Sequence, residues 1–218
     1  MKAKAFIFDL NGTMINDMEY HAKAWYDILN NELKVNLSWA EVKENMYGKN
    51  VELLVRIFGK NHFTKEQSDA LSIEKEKKYQ AAFRPNLKLI DGLEVFLAKA
   101  AGYRKPMAIG TAAIAFNVDF VLDNIPIRKY FKSIVTADDV ATSKPNPEVF
   151  TKCADELGIA YKDCIVFEDA PKGVEAAMNA GMKAVVITSY HKKEDFAHLP
   201  NILMYISDYN DKILDQLF

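Results

Sequence analysis

Polar side chains follow short apolar runs at four places in the sequence. Asp9 comes after FIF, Thr111 after AIG, and the pair Glu168 and Asp169 after IVF, while Lys144 follows a further run. Because strand ends in a parallel sheet meet at one edge, these groups can share one crevice although they are far apart in sequence. Their order and spacing therefore predict a single site.

The acidic members of this set predict chemistry on a phosphoryl group. Two or three carboxylates can hold Mg²⁺ while one of them attacks phosphorus in line. Asp9 is the candidate nucleophile and metal ligand, and Glu168 with Asp169 would complete the metal site. A lone Asp after a strand is more often a turn or a helix cap, so the prediction depends on the whole set.

The remaining members are donors that would neutralise phosphoryl oxygens. Thr111 and the backbone amides near Asn11 and Ala112 are the candidate donors. Lys144 would reduce the repulsion between the carboxylates and an incoming dianion.

Apolar runs and helix-period stretches alternate along most of the chain, which predicts an α/β fold with a parallel sheet covered by helices on both faces. The predicted strands lie in 3–10, 105–112, 133–139, 163–170 and 183–189, with a weaker sixth in 202–208. The predicted helices between them cover 92–101, 115–124, 146–157 and 171–181.

Residues 15–83 interrupt this alternation with one helical stretch after another. We therefore predict a catalytic core formed by 1–14 and 84–218, and an all-helical cap, 15–83, inserted after the first strand. The charged run IEKEKKYQ within the cap is typical of a solvated helix face.

Composition points to a folded protein with a small-molecule partner. Of 218 residues, 50% are apolar and 27% charged, and the net charge is -2, which favours neither nucleic acid nor a membrane. The two cysteines, Cys153 and Cys164, are too few for a disulfide framework, so we expect a cytoplasmic location. We also expect a monomer.

The segments FIFDLNGTM, AIGTAA, SKPNPEVF and FEDAPKGVEAA resemble, in order, the four motifs of the haloacid dehalogenase superfamily. The helical insertion, with its stretch EYHAKAW, is similar to the cap of the β-phosphoglucomutase-like branch. The resemblance implies a Rossmann-like core, an aspartyl-phosphate at Asp9, Mg²⁺ as cofactor, and phosphatase or phosphomutase activity on a small phosphorylated metabolite such as a sugar phosphate.

Asn11 departs from the family pattern, in which phosphatases and mutases carry a second Asp as general acid and base. An amide can neither protonate a leaving alkoxide nor activate water, and losing such a group costs ~10²–10⁴ in rate. The backbone carbonyl of residue 11, a metal ligand in the family, is unaffected by the change. We therefore expect metal binding to survive and turnover to be impaired.

Three explanations for Asn11 are open at the level of sequence. The residue could be an engineered replacement of Asp. It could belong to a slow or specialised enzyme whose leaving group departs without a proton, as in an acyl phosphate or pyrophosphate. Asn11 could also deamidate to Asp, since it precedes the sterically open Gly12.

Several cap residues are candidates for substrate binding through the same resemblance. His21 could orient residue 11 or carry a proton, although a histidine on an amphipathic helix is as often a hydrogen-bonded packing residue. Tyr47, Gly48, Lys49 and Asn50 form the predicted substrate loop. Lys75 matches a cap lysine of the branch, but surface charge is the preferred interpretation of Lys75, Lys77 and Lys78.

The predicted substrate loop lacks the Arg that mutases of the branch use for a second phosphate. The sequence therefore favours a Mg²⁺-dependent phosphatase. A β-phosphoglucomutase-type mutase is the alternative, and a catalytically weak phosphate-binding protein follows from Asn11 as a third hypothesis.

Overall fold

The computed structural model describes residues 3–218. These residues form two compact units, which we call the core and the cap. The core comprises the residues up to Asn16 together with Lys88–Phe218, and the cap comprises Asp17–Leu87.

The core is built on a six-stranded sheet in which every neighbouring pair of strands is parallel. The strand order is β3-β2-β1-β4-β5-β6. This arrangement, with helices between the strands, confirms the predicted α/β class. The strands are β1 (Ala5–Phe8), β2 (Met107–Gly110), β3 (Phe131–Val135), β4 (Cys164–Glu168), β5 (Lys183–Ile187) and β6 (Ile202–Ile206).

The described residues contain eight α-helices, four in the cap and four in the core, and the four core helices lie close to their predicted bounds. In the cap, α1 continues into a wider turn over Asp27–Glu32. The cap helices are α1 (Met18–Tyr26), α2 (Trp39–Asn45), α3 (Asn50–Phe58) and α4 (Lys65–Phe83), and the core helices are α5 (Leu93–Gly102), α6 (Ala115–Asn124), α7 (Glu148–Leu157) and α8 (Pro171–Asn179).

The third predicted strand was placed too far along the chain. β3 ends at Val135, and Thr136 then begins a short turn in which its hydroxyl accepts from the amide of Asp138. Side chains such as Thr and Asp offer the backbone a local hydrogen-bonding alternative to the ladder of the sheet. The acidic end of SIVTADD therefore belongs to a turn.

The central strands fix the position of the predicted site through their register. Phe8 lies beside Ile109 of β2 and Phe167 of β4. The rings of Phe8 and Phe167 stack at 4.7 Å, within a buried aromatic core. One residue further along, the amide of Asp9 donates to the carbonyl of Phe167 at 3.0 Å. Asp9 is thereby level with Glu168 at the carboxyl edge.

Among the described residues, none of the helices combines the length and the apolar character that a membrane span requires.

Both thiols are packed inside the core, and burial raises the pKa of Cys153 to about 12 and that of Cys164 to about 11. At pH 8 both groups are almost wholly protonated, and the thiolate is the reactive form. We expect neither thiol to react with Ellman's reagent in the native protein, and both to react in guanidinium. Fast labelling of either thiol in the native state would contradict the packing described here.

Candidate active site

The side chain of Lys144 lies between two of the predicted metal ligands. Its Nζ donates to Asp9 Oδ1 at 2.6 Å and to Glu168 Oε1 at 2.7 Å, and all three side chains are buried. Residue 144 reaches this position from the loop between β3 and α7, which meets the edge where β1 and β4 end. The structure thus brings together residues that are 135 and 24 positions apart in sequence.

Electrostatic interactions decide the charge state of this lysine. Burial lowers the pKa of Lys144, but the charges of Asp9 and Glu168 and the hydrogen bonds to them outweigh burial and raise it above its ordinary value. The side chain is therefore an ammonium group in the folded protein.

Three buried carboxylates form the acidic side of the site. Asp9, Glu168 and Asp169 each offer an oxygen, and these oxygens lie within 4.8 Å of one another. Three carboxylate oxygens this close together fit Mg²⁺, which prefers carboxylates and water as ligands. The structure therefore holds a ligand set suited to the predicted cofactor.

Backbone amides orient Glu168. Its Oε2 accepts from the amides of Asp169 and Ala170, both at 2.9 Å. Gly173, in the first turn of α8, leaves the space for this carboxylate, since a Cβ there would lie 1.8 Å from Glu168 Oε1. Only glycine at position 173 leaves the carboxylate where it is.

The loop after β1 packs closely against Asp169. Gly12 has a φ of +73° and a Cβ on it would lie 2.1 Å from Asp169 Oδ2. Thr13 donates its hydroxyl hydrogen to Asp169 Oδ1 at 3.3 Å. Asn11 itself is half-buried, and its backbone pairs with Ile15 across the turn. This turn sets the direction of the residue 11 carbonyl, the predicted metal ligand.

Two residues that sequence reasoning missed hold the same loop. Ser189, just beyond β5, donates to the carbonyl of Gly12 at 2.5 Å, and the Tyr209 hydroxyl donates to the carbonyl of Thr13 at 3.0 Å. Burial, followed by the charges of Asp9 and Asp169, raises the pKa of Tyr209, so its hydroxyl stays a donor. Ser189 could have been found by the strand-end rule that selected Asp9, because it ends the run KAVVITS.

Thr111 follows β2, the other neighbour of β1, and is buried. Its amide donates to the carbonyl of Val135 at 3.0 Å, and its hydroxyl oxygen accepts from the amide of Ala113 at 3.1 Å. These bonds fix the turn that contains Ala112 and leave the hydroxyl hydrogen of Thr111 to donate elsewhere. Its role as a phosphoryl donor stays a prediction.

The cap contains a buried polar cluster of its own, centred on His21. Lys75 Nζ lies 2.6 Å from His21 Nδ1 and 3.0 Å from Glu76 Oε1. His21 Nε2 lies 3.3 Å from Asp17 Oδ2, and its ring stacks on Tyr79 at 3.7 Å. Lys75 is only 3% exposed, so the interpretation of Lys75 as surface charge is wrong, although Lys77 and Lys78 are exposed.

The predicted substrate loop is held from two sides within the cap. Asn50 donates through Nδ2 to Glu76 Oε1 at 2.6 Å, and Gly48 takes the positive φ of +73° that the turn requires. The amide of Lys49 donates to Glu52 at the start of α3. Glu76 therefore connects the loop to the cluster around His21.

Arg56 braces this loop from α3. Its guanidinium donates to the carbonyls of Asn45 and Tyr47 at 2.6 and 2.5 Å, and stacks 3.7 Å from the centre of the Tyr47 ring. An arginine placed in this way supports the loop backbone.

Comparison with known proteins places this fold and site in a class of enzymes that act on phosphoryl groups. The family model for haloacid dehalogenase-like hydrolases matches residues 6–187. The chain belongs to this family, whose phosphatases and phosphomutases are its relatives.

Two relatives and one solved structure illustrate the similarity. The chain is 32% identical to fructose-1-phosphate phosphatase YqaB of Escherichia coli over 82% of this chain and 93% of that one. It is 29% identical to β-phosphoglucomutase of Bacillus subtilis over 84% and 82% of the two chains. A family IA hydrolase from Entamoeba histolytica superposes with a TM-score of 0.87 at 26% identity, covering 100% and 98% of the chains.

The Glu168 carboxylate occupies the position that a Cβ at residue 173 would take, so a substitution at Gly173 tests the role of Glu168 in the acidic cluster. We expect Gly173→Ala to push the Glu168 carboxylate aside and to weaken Mg²⁺ binding by ~10–100-fold, the usual effect of losing ligand orientation. Isothermal titration calorimetry with Mg²⁺ measures the change. The matched control is Gly102→Ala, which adds the same methyl group to a helix where nothing lies within 4 Å. Equal Mg²⁺ affinity in both variants would contradict the assigned role of Glu168.

Proposed function

We propose that this protein is a Mg²⁺-dependent phosphatase of the cytoplasm that removes the phosphoryl group from a small phosphorylated metabolite through an aspartyl-phosphate at Asp9. The observation that carries the proposal is the Lys144 ammonium between Asp9 and Glu168, with Asp169 beside them. A neighbouring ammonium group favours the ionised form of a carboxylate, and the ionised form is the nucleophile.

Each residue of the core site has a part in the proposed reaction. Asp9 attacks phosphorus, and Lys144 offsets the negative charge that the substrate adds to the site. Thr111 and the amides of Asn11 and Ala112 donate to the phosphoryl oxygens. Asp9, Glu168 and Asp169, with the backbone carbonyl of Asn11, would hold Mg²⁺, which supplies further charge neutralisation.

We propose that residues of the cap bind the rest of the substrate. These residues are His21, Lys49, Asn50 and Lys75, together with the turn at Gly48. Their mutual contacts support it, because Glu76 joins Lys75 and Asn50 into one connected group.

Hydrolysis is favoured over mutase chemistry by the position of Arg56. A mutase has to hold a second phosphate, and the guanidinium of Arg56 is instead used on the loop carbonyls of Asn45 and Tyr47. The similarity to a sugar phosphate phosphatase supports the same choice, and makes sugar phosphates the first compounds to test.

Release of inorganic phosphate from a panel of phosphorylated metabolites that includes both sugar phosphates and acyl phosphates, with Mg²⁺ and with EDTA, tests the proposal. We expect release that needs Mg²⁺ and that Asp9→Asn abolishes, because the amide cannot act as the nucleophile. Asp91→Asn, which changes an exposed aspartate of the core, is the control and should keep the activity.

Two results would contradict the proposal in different ways. Isomerisation of a hexose phosphate that requires a bisphosphate activator would identify a mutase. Phosphate release unchanged by Asp9→Asn would remove the aspartyl-phosphate.

A further inference from the structure

Two hydrogen-bond donors of the core site, Lys144 and Tyr209, already have acceptors in the structure. Lys144 directs its ammonium at Asp9 and Glu168, at 2.6 and 2.7 Å. The Tyr209 hydroxyl donates to the carbonyl of Thr13 at 3.0 Å. Both side chains therefore take part in buried interactions that hold the site together.

Asn11 lies two residues after Asp9, in the loop whose next residue, Gly12, packs against Asp169. Its carboxamide neither gains nor loses a proton in the range of pH in which proteins function. Residue 11 can therefore donate a hydrogen bond, but it cannot complete a proton transfer.

Both ring nitrogens of His21 contact other side chains of the cap. Its Nδ1 lies 2.6 Å from Lys75 Nζ, and its Nε2 lies 3.3 Å from Asp17 Oδ2. Stacking on Tyr79 at 3.7 Å fixes the plane of the ring. Both ring nitrogens are thus held by a buried cluster.

We propose that the substrate is an acyl phosphate of a small metabolite, whose leaving group departs as a stable carboxylate and needs no proton. The inference rests on the proposed function and narrows its substrate class. An ordinary alkyl phosphate would have to expel a strongly basic alkoxide, and the Asn11 amide cannot give that group a proton.

The proposed transfer balances without an added acid. A carboxylate oxygen of Asp9 forms a bond to phosphorus while the bond between phosphorus and the acyl oxygen breaks. The acyl oxygen keeps the electron pair and leaves as a carboxylate anion. Water then attacks phosphorus, the bond to Asp9 breaks, and the proton lost by water goes to the solvent, giving inorganic phosphate.

The inability of Asn11 to transfer a proton affects both steps of this cycle. It makes phosphoryl transfer to Asp9 selective for leaving groups that need no proton, and it makes hydrolysis of the aspartyl-phosphate slow. Attack by water gains from a base that takes its proton, and Asn11 cannot be that base. The phosphorylated enzyme should therefore accumulate, and the first turnover should appear as a burst.

Three compounds of graded leaving-group acidity test the inference with Mg²⁺ present: acetyl phosphate, para-nitrophenyl phosphate and glycerol phosphate. We expect a burst of leaving-group release from acetyl phosphate, much slower release from para-nitrophenyl phosphate, and the slowest release from glycerol phosphate. Intact-mass spectrometry after acetyl phosphate should show the addition of one phosphoryl group, absent in Asp9→Asn.

The variant Asn11→Asp supplies the missing acid and base. We expect it to accelerate release from glycerol phosphate by ~10²–10⁴, and the burst with acetyl phosphate by less than about tenfold. Asn16→Asp, which adds the same charge at an exposed position of the same segment, is the control and should change neither rate.

The outcomes separate the inference from the function on which it rests. Equal acceleration of all three compounds by Asn11→Asp, or release from glycerol phosphate as fast in this chain as in the variant, overturns the inference alone. Absence of Asp9-dependent release from every compound, in this chain and in Asn11→Asp, overturns the proposed function and the inference with it.

Discussion

The interaction on which the site depends is the pairing of one buried ammonium with two buried carboxylates. Asp9 and Glu168 would repel each other at the end of adjacent strands, and the desolvation of each charge costs several kcal/mol. Lys144 compensates both from a loop outside the sheet. Removing that one partner would leave uncompensated buried charge, at a cost of about 3–5 kcal/mol. The same ammonium group lies 2.6 Å from the carboxylate that we propose as the nucleophile.

This core site could be predicted because it follows from topology. Parallel strands end at one edge, so a polar residue that ends each apolar run is placed near the others before any contact is known. The order of the strands adds the rest: β1 has β2 and β4 as neighbours, which brings Thr111 and Glu168 to the two sides of Asp9. The strand positions themselves were readable because both faces of the sheet are buried and the runs are continuously apolar.

Contacts that depend on tertiary packing could not be predicted in this way. Lys75 and Glu76 belong to a run of charges that has the pattern of a solvated face, yet α4 turns these two side chains inward, where they pair at 3.0 Å. Tyr209 supports the Thr13 carbonyl from 196 positions away, and nothing in its local sequence distinguishes it from a packing aromatic. The roles of such residues follow from the side chains and carbonyls that they contact. The periodicity of the local sequence gives no information about contacts with residues that are distant in sequence.

The contacts of the loop after β1 bear on why we expect Asn11 to impair turnover but not metal binding. The loop is held by its backbone: Gly12 and Thr13 offer their carbonyls to Ser189 and Tyr209, and the absence of a Cβ at residue 12 admits Asp169. None of these contacts uses the side chain at position 11. The proposed metal-ligand role of residue 11 belongs to its backbone carbonyl, and the proposed loss of proton transfer belongs to its side-chain amide, so the two proposals concern different groups of the same residue.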